Sequence, residues 1–105
     1  MFLILLAWLA PAGAADLAAG QALYVANCTA CHGAKGDGNG PAAVALTPKP
    51  ANFTAASFWA GKTDEQLLAT IRGGRPGTAM TGFTTLSDAD LANVVAWLRT
   101  LAPPS

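Results

Sequence analysis

Charge is scarce in this chain and evenly matched. Six Lys and Arg stand against six Asp and Glu, charged residues make up 11%, and the formal net charge is zero. There is no run of like charge, so neither a nucleic-acid groove nor a polybasic membrane patch is encoded. Metal-ligating residues are as few: two cysteines and one histidine. Cys28, Cys31 and His32 alone cannot supply the four ligands of a structural zinc site. No segment alternates apolar and polar residues with the period of a half-buried strand, which excludes a thioredoxin-like sheet. Bulky side chains are also sparse. Once an apolar leader is set aside, a single small domain rich in Ala and Gly remains, short of core volume.

What is present converges on Cys28-Thr29-Ala30-Cys31-His32. The C-x-x-C-H spacing reads as a c-type haem attachment site. Two thiols three residues apart on one helical turn can each add across a vinyl group on the same porphyrin edge. The adjacent imidazole then reaches the iron from the proximal side. A structural disulfide over the same step is geometrically poor and closes almost no loop. A buried porphyrin, in contrast, supplies the apolar surface that the rest of the chain lacks.

Met1 to Ala15 (MFLILLAWLAPAGAA) reads as an export signal. An apolar run is followed by small residues that end in Ala12-Gly13-Ala14 or Gly13-Ala14-Ala15, and the run is too short to span a bilayer. No Lys or Arg precedes the run, and no Cys in it offers a site for a lipid anchor. The expected organisation is a cleaved signal over residues 1–15 and one domain over 16–105. The expected location is the bacterial periplasm, with no permanent membrane anchor.

A first helix is expected from Asp16 to Asn27, with Leu17, Ala18, Leu23 and Tyr24 facing inward. Gly20 costs such a helix about 1 kcal/mol relative to Ala, and close approach of another helix would account for it. The glycine-rich stretch Gly33 to Pro41 cannot be helical. It lacks the G-K-[ST] of a phosphate loop and the spaced carboxylates of a calcium loop. The carbonyl of Pro41 is free to accept the second N–H of His32 and to fix the imidazole's orientation. Thr47 to Phe58 reads as an extended cover, from which Phe53 and Phe58 can pack on a porphyrin. Two roles are open to Trp59: core packing, or donation of its indole N–H to a haem propionate.

Thr63-Asp64-Glu65-Gln66 is a capping box that starts a helix with Leu67, Leu68 and Ile71 inward, and Gly73-Gly74 stops it. Met80 lies in a second irregular loop, Arg75 to Phe83, and is the only methionine once the signal is removed. A lone loop methionine is most often core filling, but this loop is also where a thioether can be brought to the iron's open face. Ser87, with Asp90 three residues on, caps a last helix to Leu101. Leu91, Val94, Val95, Leu98 and Leu101 form its apolar stripe, flanked by Trp97.

In this order the pieces resemble the class I cytochromes c, the small soluble monohaem group with His/Met ligation. The resemblance runs from about Asp16 to Leu101 and rests on Gly20-x-x-x-Tyr24-x-x-x-Cys28, the C-x-x-C-H, Gly-x-Gly-Pro41, the Met80 loop and Trp97. It implies an all-α fold of three or more helices around one covalently bound haem c. Gly20, Tyr24 and Trp97 would then mark the crossing of the first and last helices. The resemblance also implies thioethers at Cys28 and Cys31, axial ligands His32 and Met80, and the Pro41 carbonyl on His32. The lysine ring of many relatives is missing, which leaves partner identity open.

The function implied is one-electron transfer with transient redox partners, by a monomeric carrier and not an enzyme. Two alternatives stand beside it. One is a haem c electron-entry subunit of a larger oxidoreductase. The other is a ligand-binding or peroxidatic haem protein.

Overall fold

The arrangement is set where two helices meet at a glycine. The computed structural model describes residues 15–104, so all but the last residue of the expected signal over residues 1–15 lies outside the described residues. Helix α1 (Leu17–Asn27) begins at Asp16, whose carboxylate caps the Ala19 N–H at 3.0 Å and whose own N–H donates to Asn93 Oδ1 at 2.9 Å. Its buried residues are Gly20 and Tyr24, one turn apart. Both face the last helix, α5 (Asp88–Arg99). A Cβ on Gly20 would fall 2.1 Å from the Asn93 carbonyl oxygen, so no larger residue fits without moving a helix. Tyr24 packs on Trp97 with ring centroids 4.6 Å apart.

The inward face of α1 is narrower than expected. Ala18 lies about 200° round the helix from Gly20 and is exposed. Leu17, the helix's first residue, stays 48% exposed. Leu23 and Tyr24 do pack into the core.

α2 (Thr29–His32) is a single turn that follows Cys28 directly. The glycine loop after it folds back on that turn, with Gly38 donating to the His32 carbonyl, Gly40 to Cys31 and Ala42 to Ala30, at 2.8–3.0 Å. A Cβ on Gly40 would lie 2.3 Å from the Ala30 carbonyl oxygen, which explains the glycine there. A short 3₁₀ turn covers Ala43–Ala45.

The segment expected to be extended up to Phe58 instead contains a helical turn, α3 (Ala56–Trp59). The Trp59 indole N–H closes that turn on the Phe53 carbonyl at 2.8 Å, a tertiary contact that residue propensity does not signal.

The capping box of α4 (Asp64–Gly73) is complete: Gln66 N–H donates to Thr63 Oγ1 and Thr63 N–H to Gln66 Oε1. The helix ends at Gly74, with φ 78°. Ser87 and Asp90 make the same reciprocal pair for α5. α5 stops at Arg99, two residues short of the expected Leu101, which is half-buried against the core. Leu91, Val94, Val95 and Leu98 are buried, and they meet Leu67 and Ile71 of α4 in one cluster with Tyr24 and Phe53. Exposed Arg72–Asp88 and Arg99–Asp64 pairs link α4 to α5 and contribute at most about 1 kcal/mol each. No strand occurs among the described residues, and no helix there is long and apolar enough to cross a membrane.

Gly20→Ala tests the crossing. Alanine's propensity favours the helix by about 1 kcal/mol, but overpacking against the Asn93 backbone costs more. The expected net loss is about 1–3 kcal/mol, read from the denaturant midpoint of the holoprotein.

Candidate functional site

Cys28 is the last residue held by α1, its N–H bonded to the Tyr24 carbonyl at 2.8 Å. The turn that follows brings His32 N–H to the Cys28 carbonyl at 2.9 Å, so both cysteines and the histidine lie on one helical turn. The Tyr24 hydroxyl donates to the Gly33 carbonyl at 2.5 Å and ties this turn to the helix crossing. Cys28, Cys31 and His32 line a cavity of about 460 Å³, together with Phe53, Phe58, Ile71 and Phe83. Met80, from the second irregular loop, lines the same cavity. Four residues spread over half the chain are thus brought to one apolar space, of a size usual for cofactor sites.

The histidine is oriented from an unexpected direction. Its Nδ1 lies 3.1 Å from the carbonyl oxygen of Ala51, and its ring stacks on Phe53 with centroids 4.6 Å apart. Pro41, expected to provide this carbonyl, makes no such bond and does not line the cavity. The glycine loop is bonded back to α2 through its own backbone, and it is the 47–58 cover that reaches the imidazole. With Nδ1–H given to Ala51, Nε2 keeps its lone pair for a metal. Burial lowers the His32 pKa, opposed by the Ala51 hydrogen bond, and favours the neutral, ligating imidazole.

Trp59 is also placed differently from one of its two expected roles. Its indole N–H is taken by the Phe53 carbonyl, and it does not line the cavity. Arg99 lies over its ring, 5.1 Å from the centroid, and both contacts belong to the packing role.

Met80 is held through its backbone. Its carbonyl accepts from Arg75 N–H at 3.0 Å, and its N–H donates to Thr78 Oγ1 at 3.1 Å. The Thr78 hydroxyl donates in turn to the Arg75 carbonyl at 2.8 Å. Next to this loop, Phe83 N–H donates to the Ile71 carbonyl and anchors it on α4.

No disulfide joins Cys28 and Cys31. Burial, and then the neighbouring Cys31, push the Cys28 pKa up to about 11, which favours a thiol over the thiolate that a bare metal requires. Among the described residues no three Cys, His, Asp or Glu side chains converge as a metal site. Two thiols at one end of an apolar cavity, with an imidazole and a thioether on its walls, fit a porphyrin that brings its own iron.

The family model described as Cytochrome c matches residues 17–102. The chain belongs to the cytochrome c family. It is 32% identical over 90 residues to cytochrome c-554(547) of Halothiobacillus neapolitanus, covering 84% of this chain and 99% of that protein. It is 33% identical over 88 residues to cytochrome c6 of Picosynechococcus, covering 84% and 75%. Among solved structures, a reducing HAO-like protein complex of Kuenenia stuttgartiensis matches with a TM-score of 0.73 at 27% identity. That match covers 90% of this chain but only 46% of the solved one. The fold is the all-α cytochrome c type, and the cofactor is a single covalently bound haem c. The role is electron transfer, and members of this family are typically carriers without catalytic activity.

Sequence reasoning missed the Ala51 carbonyl, because any residue has a carbonyl and nothing in the residue type marks this one. Phe53 was legible as an aromatic near the cofactor, but its stacking on His32 was not.

Tyr24→Phe tests the link between crossing and site. Losing a buried hydrogen bond and leaving the Gly33 carbonyl unpaired should cost about 1–3 kcal/mol. Burial raises the Tyr24 pKa to about 12, above its ordinary value near 10. The neutral phenol's contribution is therefore complete below pH 10 and is lost as pH rises from about 10 to 12. Chemical denaturation across that window should show a falling stability in the wild type and a flatter profile in the variant.

Proposed function

We propose that this chain is a one-electron carrier whose haem is attached through thioethers at Cys28 and Cys31. His32 is the proximal iron ligand and Met80 the distal one. The observation that carries this reading is the convergence of all four side chains on one cavity. The haem supplies an iron that cycles between Fe(II) and Fe(III), and a thioether ligand favours Fe(II) and raises the potential. The chain's own part is to hold two ligands, to fix His32 through Ala51 and to keep water from the apolar walls. With His32 and Met80 both holding the iron, no position would be left for a substrate, which argues against a peroxidatic or gas-binding role.

Residues 1–15 are an export signal in this reading, and 16–105 the working domain. The carrier then acts as a monomer in the bacterial periplasm, in transient contact with redox proteins. A second reading, an electron-entry subunit of a larger oxidoreductase, draws on the solved relative that is itself a complex and of which this chain spans 46%. Size-exclusion chromatography of the native protein separates the two.

Acid–acetone extraction should leave the haem on the protein, and quantitative extraction would overturn the attachment. Cys28→Ala or Cys31→Ala should lower holoprotein yield strongly, since the apoprotein has too little core of its own. Met80→Ala should retain covalent haem, lose the weak thioether-to-iron charge-transfer band in the red, bind azide more tightly and show a lower potential. His cannot substitute, because His32 is the only one. An unchanged spectrum would make Met80 a core residue.

A further inference from the structure

The chain is neutral, but its charges are not spread evenly over the fold. Arg72 and Arg99 are paired with Asp88 and Asp64, and neither they nor Lys35 line the cavity. The other three cations, Lys49, Lys62 and Arg75, all line it, and none of the six carboxylates does. All three are exposed residues of the cavity lining. Lys49 donates to Asn39 Oδ1 at 3.3 Å. The Lys62 ammonium lies 4.3 Å over the ring of Phe58, itself a wall of the cavity. Arg75 has no side-chain polar partner among the described residues, while its backbone is bound at both N–H and C=O within the Met80 loop.

An apolar cavity rimmed by three cations and no anion is complementary to a flat apolar ligand with carboxylates on one edge. Haem is such a ligand, and its propionates lie on the porphyrin edge away from the vinyl groups that the cysteines take. The Trp59 indole, the neutral donor that could have met a propionate, is already committed to Phe53.

We propose that Arg75 and Lys62 hold the two haem propionates at the cavity mouth, an inference that rests on the haem attachment read above. Arg75 is the free guanidinium, suited to a bidentate carboxylate contact, and its base is fixed by the same loop that holds Met80. Lys62 brings a second cation from the chain just ahead of α4. Lys49 is partly engaged with Asn39 and is the less available of the three. An ionised propionate left unpaired favours Fe(III), and a fixed cation beside it offsets that effect and raises the potential.

The test is a spectroelectrochemical titration of full-length holoprotein at pH 7 and low ionic strength. The variants are Arg75→Gln, Lys62→Gln and Arg75→Lys, with Lys35→Gln as a control for loss of a surface charge outside the cavity. At a fixed applied potential, each of the first two should lower the Fe(II)/Fe(III) ratio by about threefold, the size of a partly exposed ion pair. Arg75→Lys should restore most of that loss, and Lys35→Gln should leave the ratio near the wild type. A wild-type ratio in both Gln variants, with covalent haem content unchanged, would overturn the proposal. Slower low-salt electron transfer to an acidic partner in those same variants would then assign the cations to docking. Failure of the haem reading itself is distinct: the wild-type protein would show no covalent haem spectrum before any potential was measured.

Discussion

The backbone-to-backbone contact of α1 with α5 at Gly20 is the constraint from which the rest of the structure follows. With no side chain at Gly20, the helix can lie on the Asn93 carbonyl, and Asn93's own side chain takes the N–H of Asp16, the residue that caps the same helix. This fixes both the separation and the register of α1. Tyr24, one turn on, is thereby buried against Trp97, and its hydroxyl reaches the Gly33 carbonyl just past His32. The crossing and the cysteine turn are thus mechanically joined. A displacement at Gly20 is carried through Tyr24 to the turn that bears Cys28, Cys31 and His32.

The second constraint is the shortage of core. Among the described residues nine hydrophobic residues are buried, and two large side chains, Tyr24 and Leu91, are essentially inaccessible. Several others, among them Phe58, Leu68, Met80 and Phe83, are only partly covered. Three of these, Phe58, Met80 and Phe83, line the cavity proposed for the haem. The cofactor is therefore part of the packing as well as the redox centre, and attachment and stability are coupled.

Polar groups follow the same economy. The His32 ring and the Trp59 indole are held by backbone carbonyls and the Met80 backbone by the Arg75 N–H and the Thr78 hydroxyl, and no buried side-chain polar atom is left without a partner among the described residues. Charge is handled by position: two arginines are spent on the α4–α5 face, and three cations gather at the cavity.

Much of this was legible in the amino-acid sequence because it depends on local spacing. The C-x-x-C-H turn, the capping boxes at Thr63 and Ser87, the stripe from Leu91 to Leu98 and the helix stop after Gly73 are set by neighbours within one or two turns. Family resemblance extended that reach to Gly20, Tyr24, Trp97 and Met80. Other features were decided by the tertiary structure alone. Which carbonyl meets His32 depends on how the 47–58 segment is draped over the turn, and Ala51 stands where Pro41 was expected. Whether the Trp59 N–H is free depends on the fold of that same segment. The gathering of Lys49, Lys62 and Arg75 joins residues that are 13 positions or more apart in a chain with no run of like charge. Backbone carbonyls have no identity in a sequence and charges have no address until the chain closes on itself, so these were fixed only by folding.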